Sequence, residues 1–264
     1  MEEKTLLGIK NALGAVGLLQ SGENFVRWLR KGTPAGNQYF EKQRLMRNFY
    51  AQFVQAGDLC FDVGANLGNR IEIFLALGAK VIAVEPQESC LRYLRLKYKN
   101  PAQVLLIPKG LDEKAGEREM LIADESAVSS MAQGWVNEKE AQGLYRWDRK
   151  ITVQVTTLDT LIDTYGLPEF CKIDVEGFEY QVLRGLSRPV PALSFEYHAD
   201  VLSPALSCIE WLTHIAAYEF NYSAGETMVL ALEQWVSPQE ISGILSNLPD
   251  NQSTGDVYAR LQPT

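Results

Sequence analysis

Gly57-Asp58-Leu59-Cys60-Phe61-Asp62-Val63-Gly64-Ala65-Asn66-Leu67-Gly68-Asn69-Arg70, followed by Ile71 to Gly78 and then by Lys80-Val81-Ile82-Ala83-Val84-Glu85-Pro86, decides the fold. A short apolar run ends in a glycine-containing turn, a segment at helical spacing follows, and a second apolar run closes on an acid. That order predicts a βαβ unit and so an α/β protein with a parallel sheet. Gly64 and Gly68 carry no side chain where the backbone turns out of the first strand, so a ligand can approach the main chain and the next helix can pack close. The first amides of that helix are free donors facing the same place. Glu85 stands 21 residues after Gly64, at the carboxyl end of the second strand, where an acid accepts hydrogen bonds from both hydroxyls of a ribose.

Details of the turn choose among nucleoside-bearing cofactors. A dinucleotide turn favours Gly-x-Gly-x-x-Gly, whose second glycine clears room for a pyrophosphate; Asn66 holds that position here. Asp62 would repel a phosphate but favours a sulfonium or an amino group. The turn therefore suits S-adenosylmethionine better than NAD. A turn that uses glycine only for packing is the plainer alternative, and Asp62 in register with Glu85 speaks against it. A second motif is Phe170-Cys171-Lys172-Ile173-Asp174-Val175-Glu176-Gly177-Phe178-Glu179, an apolar strand closing on acids and leading into a helix that Gly185 ends. A period of two puts Lys172, Asp174 and Glu176 on one side if the chain stays extended. Carboxylates at the carboxyl end of a central strand lie in the ligand crevice of an open sheet.

Phe61-Asp62-Val63-Gly64-Ala65-Asn66-Leu67-Gly68 resembles the first motif of the FkbM family of S-adenosylmethionine-dependent methyltransferases, and Lys172 to Glu179 resembles that family's signature Lys-x-Asp-Val-Glu-Gly-x-Glu. The resemblance runs from about Gly57 to Arg260. It implies a Rossmann-like, seven-stranded class I methyltransferase sheet with helices on both faces and the last strand antiparallel. Residues 57–264 would form that domain, and residues 1–56 an N-terminal helical extension. S-adenosyl-L-methionine is the implied cofactor, bound by Asp62, Gly64, Ala65, Asn66, Gly68, Glu85 and Pro86, with Gly110 and Leu111 against the adenine. The implied reaction is oxygen methylation of a sugar, polyketide or other hydroxyl, in a small molecule or a glycan. The segment from Asp124 to Lys150 occupies the family's variable, acceptor-choosing position.

Methyl transfer is an in-line displacement, so much of the catalysis can come from alignment. An alcohol acceptor also has a proton to lose. His198 is the candidate base, oriented by Asp174 or by Glu196 on its own strand, and Asp174 and Glu176 complete the catalytic set. A buried histidine satisfied by hydrogen bonds is the competing reading. Asp174, Glu176, Glu196 and His198 are also ligand types for a divalent metal, but no compact ligand spacing supports one. No metal is assigned, and chelation is expected to leave activity unchanged. His214, behind Trp211, is read as structural.

At 264 residues and 46% hydrophobic content, the chain suits one α/β domain with additions. A net charge of −8 argues against general nucleic-acid binding. Cys60, Cys90, Cys171 and Cys208 show no Cys-x-x-Cys spacing and read as reduced and buried, hence cytoplasmic. The acidic start, and Lys10 inside the apolar run from Leu6 to Leu19, fit neither a signal peptide nor a membrane span. Residues 1–56 carry +4 on an otherwise acidic chain. Their apolar positions, Phe25 to Leu29 and Tyr39 to Phe53, are spaced as amphipathic helices broken by Gly32-Thr33-Pro34-Ala35-Gly36. A cap packed on the sheet is one reading, and a membrane-surface or substrate-binding arm is the other. Residues 124–150 read either as a lid stacking on the acceptor or as a surface helix with two aromatics packed down.

The remaining pattern predicts helices at 87–99, 204–217 and 238–248, and strands at 104–107, 218–222, 227–231 and 255–260. Strands 117–123 and 151–156 would pair as a small insertion on the main sheet. Nothing in the sequence sets an oligomeric state. Two other functions share the first motif: a nicotinamide-dependent oxidoreductase, which would need the glycine that Asn66 replaces, and a non-catalytic interaction module, which would tolerate a broken signature around Asp174.

Overall fold

A computed structural model describes residues 34–123, 126–143 and 145–262. Helix α1 (Pro34–Tyr50) begins on a proline, whose fixed φ and missing N–H suit a first helical turn. Residues 34–36 of the expected break at 32–36 are thus helical, and residues 32–33 and Phe25 to Leu29 lie outside the described residues. The chain continues through β1 (Leu59–Val63), α2 (Asn69–Ala76), β2 (Lys80–Val84), α3 (Glu88–Lys97), β3 (Val104–Ile107), β4 (Gly110–Leu111) and β5 (Gly116–Ala123). Next come α4 (Gln133–Ala141), β6 (Trp147–Thr156), α5 (Leu158–Tyr165), β7 (Phe170–Ile173), α6 (Glu179–Arg184) and β8 (Ala192–His198). The last described elements are α7 (Ser203–Ile215), β9 (Tyr218–Ala224), α8 (Pro238–Leu245) and β10 (Thr254–Leu261).

The main sheet has seven strands in the order β3-β2-β1-β7-β8-β10-β9. It is parallel except for β10, which runs antiparallel to both its neighbours. This is the class I methyltransferase sheet expected from the motifs. Strands β1 and β7 are nearly continuous apolar runs because helices and loops cover both faces. They pair through Val63 and Ile173, so their carboxyl ends open side by side where the strand order reverses. In an open α/β sheet that is the ligand crevice.

Strands β5 and β6 pair as expected, but with β4 they form a separate three-stranded sheet rather than an addition to the main one. Residues 227–231, expected as a strand, are loop. One backbone bond, from the Ala231 N–H to the Tyr222 carbonyl, ties it to β9, and at the next residue the Asn221 side chain takes both the Leu232 N–H and the Leu232 carbonyl, so the pairing does not continue as a ladder. Helix α1 packs Met46, Phe49 and Tyr50 into the core, the Tyr50 ring standing edge-on to Phe74 and Phe170. All four cysteines are free and buried. Among the described residues no helix is long and apolar enough to cross a membrane.

Candidate active site

Where β1 ends, Gly64 adopts φ 82°, and a side chain there would collide with the carbonyl oxygen of Asp174. Only glycine lets the two strand ends approach this closely. Gly68 also has positive φ, but it faces Leu94 and Tyr98 rather than the cavity, so its part is to seat α2 against α3. A cavity of about 240 Å³ opens beyond these strand ends. Asp62, Gly64, Ala65 and Asn66 line it from the first turn, Glu85 and Pro86 from the end of β2, Gly110 and Leu111 from β4, and Asp174 and Glu176 from the end of β7. Nearly all of the expected site residues therefore meet at one place; Gly68 and His198 are not on its wall.

Two acids characterise the cavity's first-motif end. Glu85 receives the Asn66 N–H at 2.9 Å and the Gln87 N–H at 2.6 Å, one on each carboxylate oxygen, which fixes its orientation and leaves lone pairs for hydroxyls. Burial pushes its pKa up to about 7 despite those two donors. Burial likewise lifts Asp62 to about 7, with Arg70 drawing it down and Asp174 pushing it up. Asp62 Oδ2 is buried and has no hydrogen-bond partner in the protein. An orphaned carboxylate oxygen on the wall, beside a backbone cleared by Gly64 and an oriented acid at Glu85, fits a cofactor with a ribose at one end and an amino group and sulfonium at the other.

The opposite end is built by the turn after β7. Lys172 is buried, its Nζ 2.6 Å from Asp256 and 3.3 Å from Asp174. Burial works to discharge it, and the two carboxylates outweigh that effect. The strand stops at Ile173 and Glu176 takes φ 56°, so this run is not extended as a period of two assumed. The turn swings Glu176 onto the cavity wall, and the Ser130 hydroxyl holds the Glu176 carbonyl at 2.6 Å. Glu179 braces the same turn by accepting the N–H groups of Val175 and Gly177.

One ligand-type atom each from Glu176, Glu196 and His198 lies within 4.8 Å of the others. His198 Nε2 is 3.2 Å from Glu196 Oε2, so Glu196, not Asp174, is the acid that faces the imidazole. Burial raises Glu176 well above the usual carboxylate range, helped by Glu196, Asp174 and Glu179. Glu196 is raised by burial and then by Asp174. For His198 burial acts downward, but Glu196 outweighs it and the imidazole stays more basic than usual.

The segment before β6 divides between the two readings offered for it. Trp135 and Trp147 are packed down with Leu121 and Val136, as a surface helix would have them, while Ala127, Ser129 and Met131 touch the cavity. Trp135 covers Gly177 and stands 5.6 Å from the His198 ring. Several contributors escaped the sequence reading. Arg70 and Glu226 line the cavity and pair at 2.7 Å across 156 residues, and Asp256 reaches Lys172 across 84. Arg70 follows the first motif directly, which was its one signal; Asp256 had none beyond being an acid in a late strand.

The methyltransferase FkbM domain matches residues 62–233. A hexuronic acid methyltransferase, AglP of Haloferax volcanii, is 27% identical over 150 residues, which are 54% of this chain and 57% of the relative. The match thus spans little more than half the length of that curated relative. Among solved structures, a TehB-like SAM-dependent methyltransferase from Corynebacterium glutamicum aligns with TM-score 0.44 and 11% identity over 92% of this chain and 99% of its own. The plantazolicin methyltransferase BpumL, in complex with a triazolic desmethylPZN analog and SAH, aligns with TM-score 0.38 and 11% identity over 99% and 100%. With both motifs on one cavity and the family's domain matched over more than half of its length, the chain belongs to the FkbM family of methyltransferases, and S-adenosylmethionine is its cofactor.

Proposed function

We propose that the chain transfers a methyl group from S-adenosylmethionine to a hydroxyl oxygen of a small molecule or glycan. The observation that carries this reading is the acid–imidazole cluster at one end of the cavity, with Glu176 on the wall and Glu196 and His198 within 4.8 Å of it. When bound, the cofactor supplies an electrophilic methyl carbon on a sulfonium that leaves as a neutral thioether. This chain's residues have two tasks: to align the acceptor oxygen with that carbon and to provide for the departing hydroxyl proton. Asp62 and Glu85 hold the cofactor, Asp174 and Glu176 border the acceptor, and the cluster containing His198 is where the hydroxyl loses its proton. With the cofactor bound, the oxygen–carbon bond would form as the carbon–sulfur pair returned to sulfur. The similarity to a hexuronic acid methyltransferase makes hexuronic acids and their glycosides the first acceptors to test. Four buried free thiols suit a reducing, cytoplasmic setting.

The test begins with parallel calorimetric titrations of S-adenosylmethionine, S-adenosylhomocysteine and NAD. The first two are expected to bind and NAD is not; binding of NAD alone would overturn the enzyme class. Labelled methyl transfer to hexuronic acids and glycosides should then give an alkali-stable ether, and an alkali-labile ester would refute the hydroxyl reading. His198→Ala should slow transfer by roughly 10²–10⁴-fold with S-adenosylhomocysteine affinity unchanged.

A further inference from the structure

Among the described residues, Glu176, Glu196 and His198 are the only His, Cys, Asp or Glu side chains whose ligand-type atoms converge this way. What sets the cluster apart is what it lacks. Glu196 Oε2 and both ring nitrogens of His198 are buried with no hydrogen-bond partner. Nε2 and Oε2 stand 3.2 Å apart, close enough for an ion pair but not aligned as a hydrogen bond. Buried polar atoms are almost always satisfied, yet Nδ1 has no partner and Nε2 and Oε2 have only each other, so the cluster calls for a further, shared partner. The nearby lysines do not provide it. Lys172 is committed to Asp256 and Asp174, and Lys139 to Asp200 at 2.8 Å.

The spacing fits a metal ion. An ion with bonds of about 2.1 Å holds neighbouring ligand atoms about 3.0 Å apart and opposite ones about 4.2 Å apart. The 3.2 Å separation of Nε2 and Oε2 matches a neighbouring pair, and side-chain rotation closes the rest from within 4.8 Å. One imidazole with two carboxylates suits Mn²⁺, Co²⁺ or Zn²⁺ better than Ca²⁺ or Mg²⁺, which prefer all-oxygen sites. We propose that Glu176, Glu196 and His198 hold a divalent first-row metal ion whose open side faces the cavity at Glu176. This rests on the hydroxyl reading above. The ion would take the acceptor's oxygen as a further ligand and acidify it, the O–H proton passing to water as the oxygen attacks the methyl carbon. His198 is then a ligand rather than the proton acceptor, and chelation abolishes transfer, contrary to the expectation from sequence.

The experiment is a titration of the EDTA-stripped full chain with Mn²⁺, followed by electron paramagnetic resonance, with S-adenosylhomocysteine binding as the check on folding. A single saturable site is expected. Glu196→Gln and His198→Asn should each weaken it by about 100-fold while S-adenosylhomocysteine still binds. Failure of the unsubstituted, cofactor-competent protein to bind Mn²⁺ overturns the proposal, as does a site that both substitutions leave unchanged. The functional arm separates the two readings. Undiminished transfer by stripped protein removes the metal and leaves hydroxyl methylation standing, whereas Mn²⁺ binding with no ether product from any hydroxyl acceptor removes the acceptor reading and leaves the metal site.

Discussion

On the proposed reading, Glu85 is an acid whose charge the cofactor must select. With a pKa of about 7 in the cofactor-free protein, caused mainly by burial, it is partly protonated near neutral pH. To accept from two ribose hydroxyls it must be ionised, and Asp62, also near 7, must be ionised to favour a cation. S-adenosylhomocysteine affinity should therefore rise from pH 6 to pH 8, by about tenfold for each of the two acids that must ionise and so by about 100-fold together, and then level off. Stability of the cofactor-free fold runs the other way. An acid whose pKa is raised by folding stabilises the fold below its unfolded value, near 4, and that contribution is lost as pH rises through about 7. Melting temperatures without ligand should fall across that window, and the ligand should restore them most at the alkaline end. Glu85→Ala should weaken binding by roughly 10²–10⁴-fold, two charge-assisted hydrogen bonds being lost; a flat pH profile together with unchanged affinity would remove Glu85 from the ribose. Asp62, Gly64, Glu85, Asp174 and Glu176 were readable from sequence because each lies within a few residues of a strand end. Arg70, Ser130 and Asp256 were not, because their chemistry depends on partners 46 to 156 residues away.

At the scale of an element, the turn after β7 determines what the site can do. Its geometry comes from Glu176 in a left-handed conformation, Gly177 beneath Trp135, and Glu179 accepting two backbone amides. Ser130 links this turn to the segment before α4, donating to the Glu176 carbonyl and accepting the Ala132 N–H at 2.9 Å. Ser130→Ala should cost about 1–3 kcal/mol of stability, the worth of the two hydrogen bonds its hydroxyl makes. Its effect on kcat should be disproportionate, because Glu176 then loses its restraint on the cavity wall. Urea unfolding beside steady-state kinetics checks both, and equal small losses would make the contact merely structural. Periodicity found β7 but not the conformation of Glu176, since a period of two presumes that the strand continues. It also offered a strand at 227–231, where the Asn221 side chain overrides an apolar run.

Over the whole molecule, helix α1 belongs to the core of the sheet it caps, whatever domain boundary is drawn near residue 56. Phe49 and Tyr50 are almost fully buried, and the Phe53 ring stacks on Tyr258 at 5.6 Å. Phe49→Ala should cost about 3–5 kcal/mol in equilibrium unfolding, as for any large buried ring, and a cost near zero would make the extension a separable arm. The seven-stranded sheet was readable through the family resemblance that the two motifs carry, not from the motifs' own spacing. The separate small sheet was not, because β4 is only two residues long.

Strand β10 lies between β8 and β9 although it follows both in sequence. Until it inserts, β9 has no strand to pair with and β8 presents an open edge, so these two cannot close the sheet as they leave the ribosome. The same strand brings Asp256 to Lys172, so a lysine destined for the interior awaits the nearer of its two counter-charges until β10 arrives. Strand pairing in this half therefore waits for β10, and until then the chain carries an unpaired edge, the kind of surface on which chaperones act and intermediates aggregate.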